Sequence, residues 1–352
     1  MKTQVSMSSD ARLFFLLKGD HPTLPAAEVE AIMEAEGFRY ALRRGAPQVL
    51  RCRAALGSSA AVARRAYYTR MCAEELSVSG DSPSAVLSAM RGVDFRRQLK
   101  PGERFSVSLR RVRRSASDVD LHGLRDRIAR LIRNQTRSEL DLDRPDVKFL
   151  GLFSGGSFYF GRVLVEVEKR LEERRARRRP FFHPSTLQPK LAGCMVNLTR
   201  VRPPEPLLDP FCGAGALLME AGALGCRPVG MDLSPVMVEG SRRNLTHFGL
   251  GPHDLMVGDA RRLPLREIGA VATDPPYGRI SSTRGADVES LYHAFFDGVA
   301  DLLSPGGCLC VSAPRALRVS DLARGAGFKH VESHLIPVHG SLTREVAVFR
   351  RG

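Results

Sequence analysis

Four aspartates of this 352-residue sequence each follow a short apolar run, and their order along the chain suits one shared ligand site. Asp209 follows PLL, Asp232 follows VGM, Asp259 follows LMVG, and Asp274 opens the tetrapeptide DPPY at residues 274–277. Such runs are typical of buried parallel strands, whose carboxyl ends meet at one edge of a sheet. The sequence therefore predicts that all four carboxylates face one crevice.

The loop PFCGAG after the first of these acids predicts the kind of ligand. Gly213 and Gly215 carry no side chain, so backbone N–H groups can approach a ligand closely. A dinucleotide fingerprint would need a third glycine, and the acid before the loop would repel a phosphate. A cofactor with a positive amino group and a sulfonium fits better, with Asp232 on the ribose hydroxyls and Asp259 and the backbone of Ala260 on the adenine. The implied ligand is S-adenosylmethionine.

The DPPY tetrapeptide suits methyl transfer to an exocyclic amine of a nucleobase, whose lone pair is delocalised into the ring. We expect Asp274 to accept one N–H and the carbonyl of Pro275 to accept the other, so that the lone pair turns toward the methyl group. Tyr277 is expected to stack on the base, which must first leave its own stack. Asp274, Pro275 and Tyr277 are the predicted catalytic residues.

Each of these features also has a structural interpretation. An Asp at a strand end is commonly a turn or helix cap, and DPPY alone could be a proline-rich turn with a packed tyrosine. Cys212, Cys308 and Cys310 suggest a thiolate mechanism, but buried free cysteine is the commoner role, and DPPY has no cysteine beside it. His122 and His183 lack a metal-spaced partner and are interpreted as structural. No metal is expected.

The elements that must position these residues change in character along the chain. Residues 1–170 have a mixed α+β pattern, in which residues 58–76 are predicted to be helical. The charge-dense stretch at residues 169–180 is expected to be either a solvated linker helix or a direct phosphate contact. From Leu191 onward, short strands alternate with helices, which predicts a mainly parallel sheet covered on both faces. The tail, residues 330–350, predicts a closing hairpin.

Charge is distributed unevenly between the two parts. The formal net charge is +15, and the sequence pI is about 10.1. Residues 1–190 carry 36 Lys and Arg against 22 Asp and Glu, whereas residues 191–352 carry 17 against 16. The first part therefore favours a polyanionic partner, although codon bias can also produce a high Arg content. Because signal, membrane and CxxC patterns are lacking, we expect a cytoplasmic protein without a membrane partner.

Several motifs in series resemble the archaeal tRNA guanine-10 N2-methyltransferases. They are HPSTLQPKLAGCMVNL, DPFCGAGALLMEAG, GMDLSPVMVEGSRRNL, GDARRLP and TDPPYGRISS. The resemblance implies a multidomain protein of α+β and α/β parts. Its expected domains are an N-terminal ferredoxin-like region (1–58), a THUMP RNA-binding domain (59–170), a linker (171–182) and a Rossmann-like class I methyltransferase with a seven-stranded sheet (183–352).

The same resemblance implies a set of cofactor contacts. Two positions depart from the usual pattern, with Ala214 where Thr is commoner and Gly193 where Arg is usual. Asp274 is expected to contact both the cofactor and, with Tyr277, the target guanine. The implied cofactor-binding residues are Ser185, Thr186 and Leu187 at the methionine end, then Asp209, Phe211, Gly213, Gly215, Asp232, Leu233, Asp259, Ala260 and Asp274.

The implied reaction places one or two methyl groups on N2 of guanosine 10 in tRNA, with the THUMP domain on the acceptor end. An enzyme acting on guanosine 6, or another RNA or DNA amino methyltransferase, is the alternative within the class. A non-catalytic RNA-binding subunit is a third hypothesis, but such a protein should have lost the glycine loop or Asp274. The motifs neither require nor rule out a helper subunit.

Overall fold

The chain divides into two compact units. The computed structural model describes residues 10–168, 171–184, 186–277, 288–340 and 342–352. The first unit comprises residues 10–26, 37–64 and 69–168, and the second comprises residues 27–36, 65–68 and 171–352.

The strands of the first unit form one mixed sheet among the described residues. In chain order the elements are β1 (Ala11–Leu17), α1 (Leu24–Ala35), β2 (Tyr40–Arg44), β3 (Val49–Ala54), α2 (Ser58–Arg65), β4 (Thr69–Gly80), α3 (Pro83–Arg91), β5 (Phe105–Arg111), α4 (Leu121–Thr136), β6 (Val147–Ser154) and β7 (Ser157–Glu166). The strand order is β2-β3-β1-β4-β7-β6-β5. Only the β5/β6 pair is parallel among these neighbours. Most of α1 belongs to the second unit.

Helix α4 is amphipathic. Asp120 caps its N-terminus by accepting a hydrogen bond from the backbone N–H of His122, at 3.0 Å. Its buried positions include Leu124, Ile128 and Ile132, which pack in an aromatic core with Phe149 and Phe160. The opposite face carries three exposed arginines at three-residue spacing, Arg127, Arg130 and Arg133.

The helix predicted over residues 58–76 is wrong in its second half. Helix α2 ends at Arg65, and β4 begins at Thr69. The strand lies in the interior of the sheet, hydrogen-bonded to β1 on one side and β7 on the other. These long-range ladders outweigh the helical propensity of the Met, Ala and Glu residues in β4, because propensity is a weak local preference.

The second unit contains the predicted parallel sheet and closing hairpin. Its elements are α5 (Pro189–Leu198), β8 (Pro206–Asp209), α6 (Ala216–Ala223), β9 (Arg227–Asp232), α7 (Pro235–His247), β10 (Asp254–Val257), β11 (Ile268–Thr273), α8 (Val288–Leu302), β12 (Leu303–Pro314), α9 (Val319–Gly325), β13 (Phe328–His339) and β14 (Leu342–Arg351). The order is β10-β9-β8-β11-β12-β14-β13. The pairs β10/β9, β9/β8, β8/β11 and β11/β12 are parallel. Strand β14 pairs antiparallel with both β12 and β13. The sheet confirms the predicted fold class.

Of the two alternatives for residues 169–180, the solvated linker helix is wrong for the described residues, and the phosphate contact stays a prediction. The described residues 171–180 form turns and a single 3-10 turn at Ala176–Arg178. Arg174 binds the fully buried Glu220 through two hydrogen bonds of 2.9 Å. Because a buried carboxylate needs a charged partner, this pair fixes the segment where a solvated helix was expected.

Gly193 is explained by close packing against Tyr67 within the second unit. A Cβ on Gly193 would lie 2.0 Å from Cζ of Tyr67. The ring cannot move aside easily, because it is 1% exposed and its hydroxyl donates to Oε2 of Glu220 at 2.8 Å. Glycine at this position therefore leaves room for the tyrosine ring.

We expect Gly193→Ala to lower the free energy of unfolding by about 1–3 kcal/mol, because the added methyl group overlaps the ring. The measurement is urea unfolding of the full chain. Gly325→Ala is the matched control, since no atom lies within 4 Å of a Cβ there and alanine is the better helix former. Equal unfolding midpoints for the two variants would contradict this account of Gly193.

Candidate active site

The carboxyl ends of four parallel strands surround a cavity of about 380 Å³ in the second unit. Asp209 ends β8 and Asp232 ends β9, while Asp259 follows β10 and Asp274 follows β11. All four aspartates line the cavity. The strand order reverses at β8, and ligands of open α/β sheets bind at such a point.

Asp209 is a buried acid with one oxygen already engaged. Its Oδ1 accepts a hydrogen bond from the Thr273 hydroxyl at 2.7 Å and from the Phe211 backbone N–H at 3.2 Å. Both bonds use Oδ1, so Oδ2 remains for a ligand in the cavity. Burial raises the pKa of Asp209 to about 7, and the two hydrogen bonds oppose that shift. A positively charged ligand group would favour the ionised acid.

The glycine loop has a backbone shape that glycine favours. Gly213 and Gly215 have φ of +49° and +81°, in the left-handed region that favours glycine. A Cβ on Gly213 would meet no atom within 4 Å, so this residue leaves open space at the cavity. A Cβ on Gly215 would instead lie 2.4 Å from the Ser241 hydroxyl oxygen. The second glycine therefore permits close packing of the loop on α7.

Asn244 of α7 connects the glycine loop to the segment that precedes α5. Its Nδ2 donates to the carbonyl of Ala214 at 2.9 Å and to that of Phe181 at 3.0 Å. Its Oδ1 accepts from the Phe181 backbone N–H at 2.9 Å. The side chain is fully buried, so no water can replace these bonds. One amide thus fixes two walls of the cavity.

Asp232 and Asp259, which also line the cavity, bind different partners. The Asp232 carboxylate accepts from the backbone N–H groups of Gly213 and Ser234, each at 2.9 Å. Asp259 forms an ion pair with the half-exposed Arg261, with Nη2 2.6 Å from Oδ2. This arginine holds the pKa of Asp259 below its usual range. A ligand amine that binds Asp259 must therefore share it with Arg261.

Asp274 lies in a hydrogen-bond network with residues of β12 and β14. Its Oδ1 accepts from the Tyr277 hydroxyl at 2.5 Å. The Tyr277 oxygen is also 2.8 Å from the Ser312 hydroxyl oxygen and 2.8 Å from Nε of Arg344. Nη2 of Arg344 is 4.0 Å from Oδ2 of Asp274. Burial raises the pKa of Asp274, and the charge of Arg344 and the Tyr277 and Ser312 hydroxyls oppose the rise.

Most of the predicted site residues line this cavity. Gly215, Pro275 and Tyr277 are not among its lining residues, and Tyr277 binds Asp274 through its hydroxyl. Ser185 lies outside the described residues. The predicted residues that line the cavity are Thr186, Leu187, Asp209, Phe211, Gly213, Asp232, Leu233, Asp259, Ala260 and Asp274.

Sequence reasoning missed several residues of the site. Arg261, Ser312 and Arg344 bind predicted residues, Asn244 binds the glycine loop at Ala214, and His183, interpreted as structural, lines the cavity. The spacing of two from Asp259 to Arg261 was a signal for an ion pair. Ser312 and Arg344 carried no local signal.

Other chemistries find less support in the described part of the chain. All seven cysteines are free and buried, including the three for which burial was predicted, Cys212, Cys308 and Cys310, and burial raises the pKa of Cys212 well above its usual value. No group of three or more His, Cys, Asp or Glu side chains within the described ranges could hold a metal ion. Within those ranges too, no helix combines the length and apolar character needed to cross a membrane.

Comparison with known proteins places this site in a family. The family model described as RMKL-like, methyltransferase domain, matches residues 176–345. A tRNA (guanine(10)-N2)-dimethyltransferase of Methanothermobacter thermautotrophicus is 33% identical over 341 residues, covering 96% of this chain and 99% of the relative. The Pyrococcus abyssi protein of the same name is 34% identical over 271 residues, covering 76% and 79%. TrmN from Thermus thermophilus shares the fold, with a TM-score of 0.53, 21% identity and coverage of 97% and 99%.

The fold, the glycine loop and the acids around the cavity define an S-adenosylmethionine-dependent methyltransferase of class I, as the sequence predicts. The residues fit that cofactor, because Gly213 leaves open space beside the buried acceptor Asp209 and the half-exposed Leu233 offers an apolar surface. The chain belongs to the tRNA (guanine(10)-N2)-dimethyltransferase family.

Proposed function

We propose that this enzyme methylates the exocyclic N2 amine of guanosine 10 in tRNA, adding one or two methyl groups. The observation that carries the proposal is the position of Asp274, whose carboxylate lines a cavity suited to a sulfonium cofactor. The names of the relatives from Methanothermobacter and Pyrococcus support the position and the base.

S-adenosylmethionine supplies an electrophilic methyl group when it is bound. Asp209 would hold its amino group, Asp232 its ribose hydroxyls, and Asp259 with the backbone of Ala260 its adenine. Asp274 would accept one N–H of the guanine amine, the carbonyl of Pro275 would accept the other, and the carboxylate would stabilise the positive charge that develops on the nitrogen. Apolar contacts of Leu233 and other lining residues would help to exclude water.

The first unit is proposed to bind the tRNA. We assign residues 1–58 to a ferredoxin-like region and 59–170 to a THUMP domain, with 171–182 as the linker and 183–352 as the methyltransferase domain. The excess of basic residues and the exposed arginine face of α4 support this division. We propose a cytoplasmic reaction on tRNA that requires no helper subunit.

Replacing Arg127, Arg130 and Arg133 together with Gln should lower tRNA affinity about tenfold or more at low salt and flatten its salt dependence, because fewer counterions are released. Binding of tRNA is measured by fluorescence anisotropy at several salt concentrations. Affinity for S-adenosylmethionine should not change, since these side chains lie in the first unit. If the dependence of tRNA affinity on salt concentration did not change, this face of α4 would not be part of the RNA-binding surface.

Cofactor affinity should fall as the pH is lowered from 7.5 to 5.5, by about tenfold, because Asp209 has a pKa of about 7 and a positive ligand group prefers its ionised form. The stability of the fold changes in the opposite direction. Between about pH 4 and 7 the folded chain keeps the Asp209 proton and the unfolded chain does not, so the free energy of unfolding rises as the pH is lowered through this range. Calorimetric titration with S-adenosylmethionine measures the affinity. Asp209→Asn should bind weakly at every pH, and a wild-type affinity that is independent of pH would contradict the assignment.

The function is tested by mass spectrometry of tRNA digested after incubation with the full chain and methyl-deuterated S-adenosylmethionine. We expect labelled N2-methylguanosine or N2,N2-dimethylguanosine. A transcript with adenosine in place of guanosine 10 is the matched control and should gain no label. Label that persists in this transcript would favour another position such as guanosine 6. Label in another nucleoside, or no label in any tRNA, would refute the proposal.

A further inference from the structure

The Tyr277 hydroxyl has a defined direction of hydrogen bonding. A guanidinium can only donate, so Nε of Arg344 donates to the Tyr277 oxygen at 2.8 Å. An ionised carboxylate can only accept, so the single Tyr277 proton goes to Oδ1 of Asp274 at 2.5 Å. Ser312, whose hydroxyl oxygen is 2.8 Å from the Tyr277 oxygen, also hydrogen-bonds Asp274 and lowers its pKa, so its single proton is shared between these two acceptors. The direction of the Tyr277 hydroxyl is therefore set by its acceptor Asp274 and its donor Arg344.

The two oxygens of Asp274 are consequently different. Oδ1 receives the Tyr277 proton, whereas Oδ2 is 4.0 Å from Nη2 of Arg344, beyond hydrogen-bond distance. Asp274 lines the cavity, and Arg344 and Ser312 do not. Arg344 therefore acts on the substrate side only through Tyr277 and through its charge.

We propose that Arg344 is a positioning residue that commits the Tyr277 hydroxyl to Oδ1 of Asp274 and leaves Oδ2 as the acceptor for the substrate amine. The proposal rests on the function proposed above. It gives Tyr277 a role in orienting Asp274, where sequence reasoning predicts stacking on the base. Within the part of the chain that the structure describes, the charged and titratable groups around Asp274 are Arg344 from β14, Asp209 from β8, Tyr292 from α8 and Tyr277 itself.

Arg344→Met removes the donor and the charge together. We expect kcat for methyl transfer to fall about 10- to 100-fold, because Asp274 loses its fixed orientation. The KM for S-adenosylmethionine should stay within about twofold, since Arg344 does not line the cavity. The acid limb of the pH profile of kcat should move to higher pH, because the lost positive charge had favoured the ionised Asp274. Arg344→Lys keeps the charge, so it should restore the pH profile more fully than kcat.

A double-mutant cycle separates this role from general damage to the strand. Tyr277→Phe and Arg344→Met should each lower kcat, and the double variant should be no slower than the slower single variant, because both break one chain of contacts. The urea midpoints of the cofactor-free variants should show the same non-additivity. Arg350→Met is the matched control, since Arg350 is on β14 and pairs with Glu34, and its kcat should stay within about twofold.

Two outcomes would overturn the proposal: wild-type kcat and pH profile in Arg344→Met, or losses from Tyr277→Phe and Arg344→Met that multiply. Both require a wild-type enzyme that methylates guanosine in tRNA. If the wild type forms no N2-methylguanosine, the proposed function fails instead, and the urea cycle still decides whether Tyr277 and Arg344 are coupled. Additive urea midpoints would then overturn the coupling itself.

Discussion

Asp274→Ala should lower the rate of methyl transfer by about a thousandfold or more while leaving tRNA binding within about threefold of wild type. The variant removes the carboxylate that would accept the amine proton and balance the positive charge on nitrogen, and a positioned group of this kind contributes about 10²–10⁴ in rate. Single-turnover kinetics with saturating tRNA measures the step directly, with binding followed by calorimetry and anisotropy.

Asp274→Asn refines the same experiment. The amide oxygen can still accept a hydrogen bond but carries no charge, so we expect a loss of about 10- to 100-fold, smaller than that of the alanine variant. Asp301→Ala, at an exposed position of α8, is the matched control and should keep wild-type kinetics. Wild-type turnover in Asp274→Ala would exclude the mechanism proposed for this site.

Asn244→Ala should weaken S-adenosylmethionine binding about 10- to 100-fold and lower the free energy of unfolding by about 3 kcal/mol. The substitution leaves the two carbonyls and the one N–H that Asn244 binds without a partner in a fully buried place, and each such group costs about 1–3 kcal/mol. The glycine loop and the segment at Phe181 also lose their shared anchor. Calorimetry at 15 °C, where the folded form can be checked by circular dichroism, measures the affinity.

Arg243→Ala is the control for Asn244. It is the preceding residue of the same helix, but it is exposed. Both its affinity and its unfolding midpoint should match wild type within error. If Asn244→Ala bound the cofactor as tightly as Arg243→Ala does, the two walls of the cavity would be held by other contacts.

The parts of the site closest to the strands could be predicted from sequence. Asp209, Asp232 and Asp274 each end or directly follow an apolar run. The carboxyl ends of parallel strands lie at the same edge of a sheet, so the three acids are expected there. The glycine loop was equally clear, because Gly213 and Gly215 adopt the positive φ that their residue type permits. These predictions depend on local sequence and on one general property of the fold.

The partners of Tyr277 depend on strand register and could not be predicted. Ser312 is 35 residues from Tyr277 along the chain, and Arg344 is 67 residues away. They meet because β12 and β14 pair with Pro314 opposite Arg344 and Ser312 opposite Val346. A shift of one residue in that pairing would turn Arg344 to the other face of the sheet. No local pattern specifies this register.

The error in β4 has a related cause. Residues 66–76 contain good helix formers, and nothing between Arg65 and Thr69 resembles a helix stop. The strand forms because β1 and β7 both offer hydrogen-bonding edges to it. A central strand of this kind is specified by its neighbours more than by its own residues.

Because every cysteine is buried, the reactivity of the thiols reports on unfolding of the chain. The thiols of Cys72, Cys194 and Cys212 have a pKa raised well above the usual value by burial, and thiolate is the reactive form. Maleimide reagents should therefore spare the native protein and label it only as it unfolds. A single cysteine introduced on the exposed face of α4 would then be the one reactive thiol of the native protein. It could be crosslinked to thiol-modified RNA without first replacing the native cysteines.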